Sequence, residues 1–224
     1  TAAGLSTCGK IPYASTFAVF AAGRAYDQIR NSICYPNLNV KICATHAGIT
    51  VGEDGATHQM LEDISLMRTL PNMTVLSTSD DLQTKWAVKE ISKIKGPVYL
   101  RLARVATGKI YDEDQKFEIG KAIQIGDGTD ATIFATGVTV EQALIAKEEL
   151  KEKGIDVRVV DIHTIKPIDK EMIIKSAKET KKLISIEDHN IIGGLGSSIA
   201  EVLTENEPAK LIRIGINDTF GKSG

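Results

Sequence analysis

The chain has 224 residues, 42% hydrophobic and 25% charged, with a formal net charge of -2. Those values fit a protein that buries a core of one large domain or two ordinary ones. They give no global electrostatic case for nucleic acid, and no apolar run reaches the ~20 residues that span a bilayer. Charge is unevenly placed: residues 1–108 hold 11 Lys+Arg against 8 Asp+Glu, and residues 109–224 hold 16 against 21. The first half is therefore the better host for an anionic ligand. Cys8, Cys34 and Cys43 form no CxxC pair and no zinc spacing, so three reduced thiols in a cytoplasmic setting are expected, each read as a small buried hydrophobe. The chain starts without Met and stops just after a glycine-rich turn, and both ends read as cut.

Taken in order, Ile11 to Phe17 reads as a strand, with Pro12 at its start. Phe20, Ala21, Ala25 and Ile29 then recur at helical spacing, which predicts one helix over 18–33. A buried strand over 40–44 follows, then a loop, then a helix over 60–70 closed by Leu70-Pro71-Asn72. A strand over 73–77 leads into the cap cluster Ser79-Asp80-Asp81 and a helix over 82–94. Gly96-Pro97 turns the chain into a strand over 98–102. A polar connector runs from Ala103 to Phe117. A second series predicts strands over 131–135, 156–161, 183–187 and 210–214, with helices over 139–153, 169–180 and 196–206 between them. Strands alternating with helices mean parallel sheets covered on both faces. The expected fold class is α/β: two three-layer domains with mostly parallel sheets, at residues 1–108 and 118–224.

In such sheets ligands bind at the carboxyl ends of strands. The loop Thr45 to Gln59 lies there, and it holds His46, Glu53, Asp54, His58 and glycines at 48, 52 and 55 within fifteen residues. Phe17 and Arg104 follow other strands and occupy the same kind of position. An imidazole can exchange a proton near neutral pH, a carboxylate can accept from a hydroxyl, and glycines let backbone approach a ligand. Spacing alone leaves open a structural role for the histidines, or a metal site from His46, Glu53, Asp54 and His58. His163 and His189 read as satisfied or solvated, with an interface role open for His189 after Glu187-Asp188. Gly193-Gly194-Leu195-Gly196 opens a helix where a phosphate could sit, but close packing is the better reading. Gly126-Asp127-Gly128 reads as a turn.

Pro12-Tyr13-Ala14-Ser15-Thr16-Phe17, Thr45-His46-Ala47-Gly48, Gly52-Glu53-Asp54-Gly55-Ala56-Thr57-His58-Gln59 and Arg68-Thr69-Leu70-Pro71-Asn72-Met73 resemble the pyrimidine-binding domain of transketolase. Thr164-Ile165-Lys166-Pro167-Ile168-Asp169 and Glu187-Asp188-His189 with Gly193-Gly194 resemble its C-terminal domain. The resemblance implies transfer of a two-carbon ketol unit from a ketose phosphate to an aldose phosphate, in the pentose phosphate pathway, with thiamine diphosphate and a divalent metal. It implies that Phe17 and Phe20 line the aminopyrimidine pocket. It implies that His58 bonds the donor's reacting oxygens, that Asp54 reads an acceptor hydroxyl, and that His46 and Arg104 contact phosphate. The catalytic set is then His58, Asp54 and His46, and the substrate-binding set adds Arg104 rather than Arg101.

The chain departs from the pattern at Ala56, where many members have proline, and at Gly23, where some place a third aromatic. The family's cofactor-activating glutamate, its diphosphate contacts and its Mg (or Ca) ligands are expected outside these residues. They would lie on an N-terminal transketolase subunit or domain, in a homodimer or heterotetramer, so this chain alone is expected to be inactive. Sugar phosphates are the expected substrates, and neither nucleic acid nor membrane is an expected partner. Two alternatives stand: an enzyme like 1-deoxyxylulose-5-phosphate synthase, which usually has Asp-Arg in place of Thr45-His46, and a non-catalytic partner of the same fold.

Overall fold

A computed structural model describes residues 1–223 as two mostly parallel sheets with flanking helices. The first sheet holds β1 (Tyr13–Phe17), β2 (Lys41–Thr45), β3 (Thr74–Ser77), β4 (Val98–Arg101) and β8 (Thr164–Lys166), in the order β1-β2-β4-β3-β8. The second holds β5 (Ile123–Ile125), β6 (Ala131–Ala135), β7 (Val157–Asp161), β9 (Lys182–Asn190) and β10 (Lys210–Ile216), in the order β10-β9-β6-β7-β5. Pairing is parallel except at the two edges, where β8 runs against β3 and β5 against β7. The alternating pattern of the sequence anticipated the parallel strands. It missed β5 and β8, each only three residues long. β8 leaves its own series and extends the first sheet.

The helices follow their caps. Asp80 accepts from the Gln83 N–H at 2.8 Å and starts α4 (Asp81–Ile91). Asp169 accepts from the Met172 N–H at 3.0 Å and starts α6 (Lys170–Thr180). Each fills a donor that the helix itself leaves unpaired. The other helices are α1 (Ala2–Thr7), α3 (Asp63–Thr69), α5 (Thr139–Glu152) and α7 (Leu195–Asn206). The single helix expected over 18–33 is a composite. A short α-helix, α2 (Tyr26–Ile29), is flanked by wider π-type turns at Val19–Arg24 and Arg30–Cys34. At the first junction the Ala25 N–H reaches back five residues to the Phe20 carbonyl, at 3.2 Å. Such widened turns cluster at functional sites.

One apolar cluster runs from the first sheet into the second. It joins Met60, Ile64, Met67 and Leu70 to Phe134, Ile162, Leu183 and Leu195. Each such side chain contributes about 1.5–3 kcal/mol when fully buried, so the seam between the sheets is core. Two lysines, Lys41 buried and Lys166 half-buried, tie helix ends to strands. Lys41 donates to the carbonyls of Ile94 and Gly96 at 2.8 and 2.9 Å, and burial pulls its amine down to about 8. Lys166 on β8 donates to the carbonyls of Arg68 and Leu70 at the end of α3. The cysteines are free; Cys34 and Cys43 are buried as expected, and Cys8 is exposed. No described helix is long and apolar enough to cross a membrane.

Candidate functional site

The site is built at the carboxyl ends of β1 and β2. Register pairs Phe17 with Thr45 at the last rung. The next residue, His46, takes φ +58, a left-handed conformation uncommon outside glycine and found at functional sites. This turn lays the imidazole on Phe17, with ring centres 3.7 Å apart and planes 14° apart. Phe20, on the widened turn, stands parallel to Phe17 at 6.0 Å. His58 meets both phenyl rings edge-on, at 6.3 Å from Phe17 and 5.4 Å from Phe20. Arg24 places its guanidinium 4.6 Å from the Phe20 ring centre. Four side chains expected from the sequence, Phe17, Phe20, His46 and His58, thus share one half-buried aromatic wall. The position of Gly23 is open, with no atom within 4 Å of where a Cβ would stand.

Each histidine leans on the threonine before it. His46 Nδ1 lies 3.0 Å from the Thr45 hydroxyl, which points its proton at the Thr16 carbonyl, at 3.4 Å. His58 Nδ1 lies 2.9 Å from the Thr57 hydroxyl, which points its proton at the Asp54 carbonyl, at 3.2 Å. A hydroxyl has one proton. With that proton on a carbonyl, it accepts from Nδ1–H, and Nε2 of each imidazole is left as the acceptor. The two Thr-His dipeptides were the sequence signal for this arrangement, and it went unread.

Asp54 is exposed and precedes the 3₁₀ turn Gly55–Thr57, and its backbone carbonyl accepts from the Thr57 hydroxyl that backs His58. Arg104 is exposed and packs on Gly52, where a Cβ would stand 3.1 Å from its Nη1. Arg101, by contrast, is buried and bonded to Asp63 through Nε at 2.8 Å. Its place is the seam, whereas Arg104 is exposed.

The loop is fastened at several points. Gln59 donates from Nε2 to the carbonyls of Ile49 and Lys222, at 2.9 and 3.0 Å. Ser223 donates to the Glu53 carbonyl at 2.7 Å. The C-terminal segment therefore lies across the turn that carries Asp54. A cleft of about 470 Å³ also opens beside Thr45, lined by Thr78, Ser79, Asp80, Leu102 and Thr107 among others. It holds none of the six expected side chains, and both loop histidines are on the aromatic face instead.

The remaining sequence candidates take structural places. Glu187 accepts the Leu195 and Gly196 N–H groups at 2.6 and 2.8 Å, so the glycine-rich start of α7 is filled by a carboxylate of the chain itself. Burial nonetheless pushes Glu187 up to about 7. His163 is buried against Trp86 and Phe117, and burial pulls it down to about 4. His189 is buried in the seam, where Nε2 accepts the Ser65 N–H at 3.4 Å. Among the described residues, no three His, Cys, Asp or Glu side chains gather as a metal site, the set of His46, Glu53, Asp54 and His58 included.

Two α/β units with an imidazole-rich loop at the carboxyl ends of the first sheet define an enzyme-like fold whose site faces outward. The transketolase pyrimidine binding domain model matches residues 1–109, and the transketolase C-terminal domain model matches residues 120–224. The chain belongs to the transketolase family. It is 55% identical over 226 residues to a protein of Methanocaldococcus jannaschii described as a transketolase C-terminal section, covering 100% of this chain and 71% of that one. It is 44% identical over 223 residues to a 6-deoxy-6-sulfo-D-fructose transketolase subunit of Clostridium sp. (strain MSTE9), covering 100% of this chain and 69% of the relative. A solved split-gene transketolase, described as an inactive beta4 tetramer, superposes with a TM-score of 0.94 at 52% identity, over 99% of this chain and 71% of that one.

Proposed function

We propose that this chain is the substrate-recognising subunit of a split, thiamine diphosphate-dependent transketolase, moving a two-carbon ketol unit between sugar phosphates. The observation that carries the reading is the wall of Phe17, Phe20, His46 and His58, which joins flat apolar faces to two imidazoles. Aromatic faces suit an aminopyrimidine, so the wall fits that part of the cofactor. The residues present do not fit its metal, and the diphosphate and metal are assigned to a complementary N-terminal subunit. When bound, the thiazolium supplies the electron sink for carbon–carbon bond cleavage.

The chain's own groups bind and orient. His58 Nε2 accepts from the donor's hydroxyl beside the reacting carbon, and it can take that proton as the bond breaks. Asp54 accepts from a hydroxyl of the acceptor sugar. His46 and the planar fork of Arg104 hold phosphate. Relatives that are transketolase subunits in both name and length favour this reading over a 1-deoxyxylulose-5-phosphate synthase. The relative named for a sulfosugar leaves the sugar preference of this chain to be measured.

The test is reconstitution. The purified chain is mixed with an N-terminal transketolase subunit, thiamine diphosphate, Mg²⁺ and a ketose/aldose phosphate pair. Ketol transfer is expected from the mixture and none from the chain alone, in keeping with a structural neighbour described as an inactive assembly. No transfer by the mixture, or turnover by the chain alone, would overturn the proposal.

A further inference from the structure

The second sheet contributes no side chain to the aromatic wall, yet the end of β9 grips both ends of the site loop. Near the start of the loop, the Asp188 carboxylate accepts the Ile49 N–H at 3.0 Å through Oδ1. Its other oxygen is buried without a hydrogen-bond partner and faces Gly48, where a Cβ would stand 1.8 Å from it. Gly48 has φ +86, so both conformation and space exclude a side chain there. Just past the loop, the Asn190 N–H donates to the Leu61 carbonyl at 2.8 Å. The strand end is itself held, because Arg101 donates from Nη2 to the Asp188 carbonyl at 2.8 Å while its Nε engages Asp63.

We infer that Asp188 is a positioning residue for the loop that carries His46, Asp54 and His58. The inference rests on the functional reading above only for what the loop then does. The geometry stands without it. Ile49 lies three residues after His46, and its N–H has one partner, supplied from 139 residues away. Asp188 and Asn190 fix residues 49 and 61, and the C-terminal segment fastens the turns between them. The second unit of the chain thereby acts on the site without touching substrate.

The experiment is hydrogen exchange by mass spectrometry on the full chain, comparing Asp188→Ala with Asp188→Asn. Asn keeps an oxygen in place for the Ile49 N–H, while Ala removes it. Exchange of amides in residues 47–60 should rise at least tenfold in Asp188→Ala and return to within about twofold of wild type in Asp188→Asn. Peptides covering β6 and β7 should not change in either variant. If Asp188→Ala does not fold, Asp188→Glu takes its place, because it keeps the charge but displaces the carboxylate by one methylene, with the same loop-confined rise expected. Loop exchange within twofold of wild type in the folded variant, or an equal rise across the second sheet, would overturn the assignment. In the reconstituted enzyme, Asp188→Ala should lower kcat/KM for the sugar phosphate about tenfold, with recovery in Asp188→Asn. Loop exchange is read without turnover, so a failed positioning role and a failed transketolase reading give different results.

Discussion

The seam between the sheets and the loop it supports use the same kinds of side chain to opposite ends. In the seam, polar groups are sealed from solvent and bonded through one carboxylate oxygen each, with the second oxygen of Asp63, Asp161 and Asp188 left without a partner. Asp63 is fully buried and receives Tyr99 and Arg101, each at 2.8 Å. Asp161, also fully buried, receives Tyr111, Gln83 and Ser79. Around the loop, Asp54 and the neighbouring Arg104 are exposed, and His46 and His58 are half-exposed with Nε2 unspent. Groups committed inside the protein hold its shape, and groups left uncommitted at its surface are available to a substrate. Changes in the seam should therefore act on stability, reaching activity only where a seam group holds the loop, as Asp188 does, and changes among the exposed site groups should act on activity alone.

The largest stability effect should come from Arg101→Met. It strands the buried Asp63 carboxylate, at a cost of about 3–5 kcal/mol, read as a lower urea midpoint with the slope preserved. A loss under 1 kcal/mol would erase the distinction between the regions. Asp161 should give the next effect, and one with a sign. Burial outweighs its three hydrogen bonds and raises it from 3.8 to about 6. Between those values the folded state holds a proton that the unfolded state has released. This group therefore makes stability fall as pH rises from 3.8 to about 6, and adds no slope outside that window. Asp161→Asn should gain stability relative to wild type across that interval, measured as the difference between urea midpoints at pH 4 and pH 6.5.

Beside the loop, Arg104→Ala should raise KM for a sugar phosphate about tenfold in the reconstituted enzyme. Its melting should barely move, since surface changes stay within about 0.5 kcal/mol. A smaller effect still is expected at the pair of Arg68 and Glu201, in which the glutamate is 58% exposed. Glu201→Ala should cost under about 1 kcal/mol and leave activity unchanged. A larger loss would mean that the seam extends to the surface.

What could be read from the sequence followed the range over which each signal acts. The parallel strands were legible because burial on both faces enriches them in apolar and β-branched residues, as in Ala-Thr-Ile-Phe-Ala over 131–135 and the three valines of 157–161. The helix starts at Asp80 and Asp169 were legible because a cap is a local chemical pattern. The widened turns around Phe20 were not, since Ala21 and Ala22 fit either helical winding. β8 was invisible because three residues carry no period and its partner β3 is remote in the chain. In the loop, the density of histidine, carboxylate and glycine marked a candidate site. Its support did not show: a hydrogen bond from Ile49 to a residue 139 positions away leaves no local trace.

The central claim is that the loop works on substrate while the seam holds the fold. His58→Ala in the reconstituted enzyme tests it most directly. The account predicts that kcat/KM for ketol transfer falls about 10²–10⁴-fold, the range for loss of a general acid–base group, with the melting temperature and the exchange of both sheets unchanged. Full activity in His58→Ala, or a loss of activity matched by loss of the fold, would contradict it.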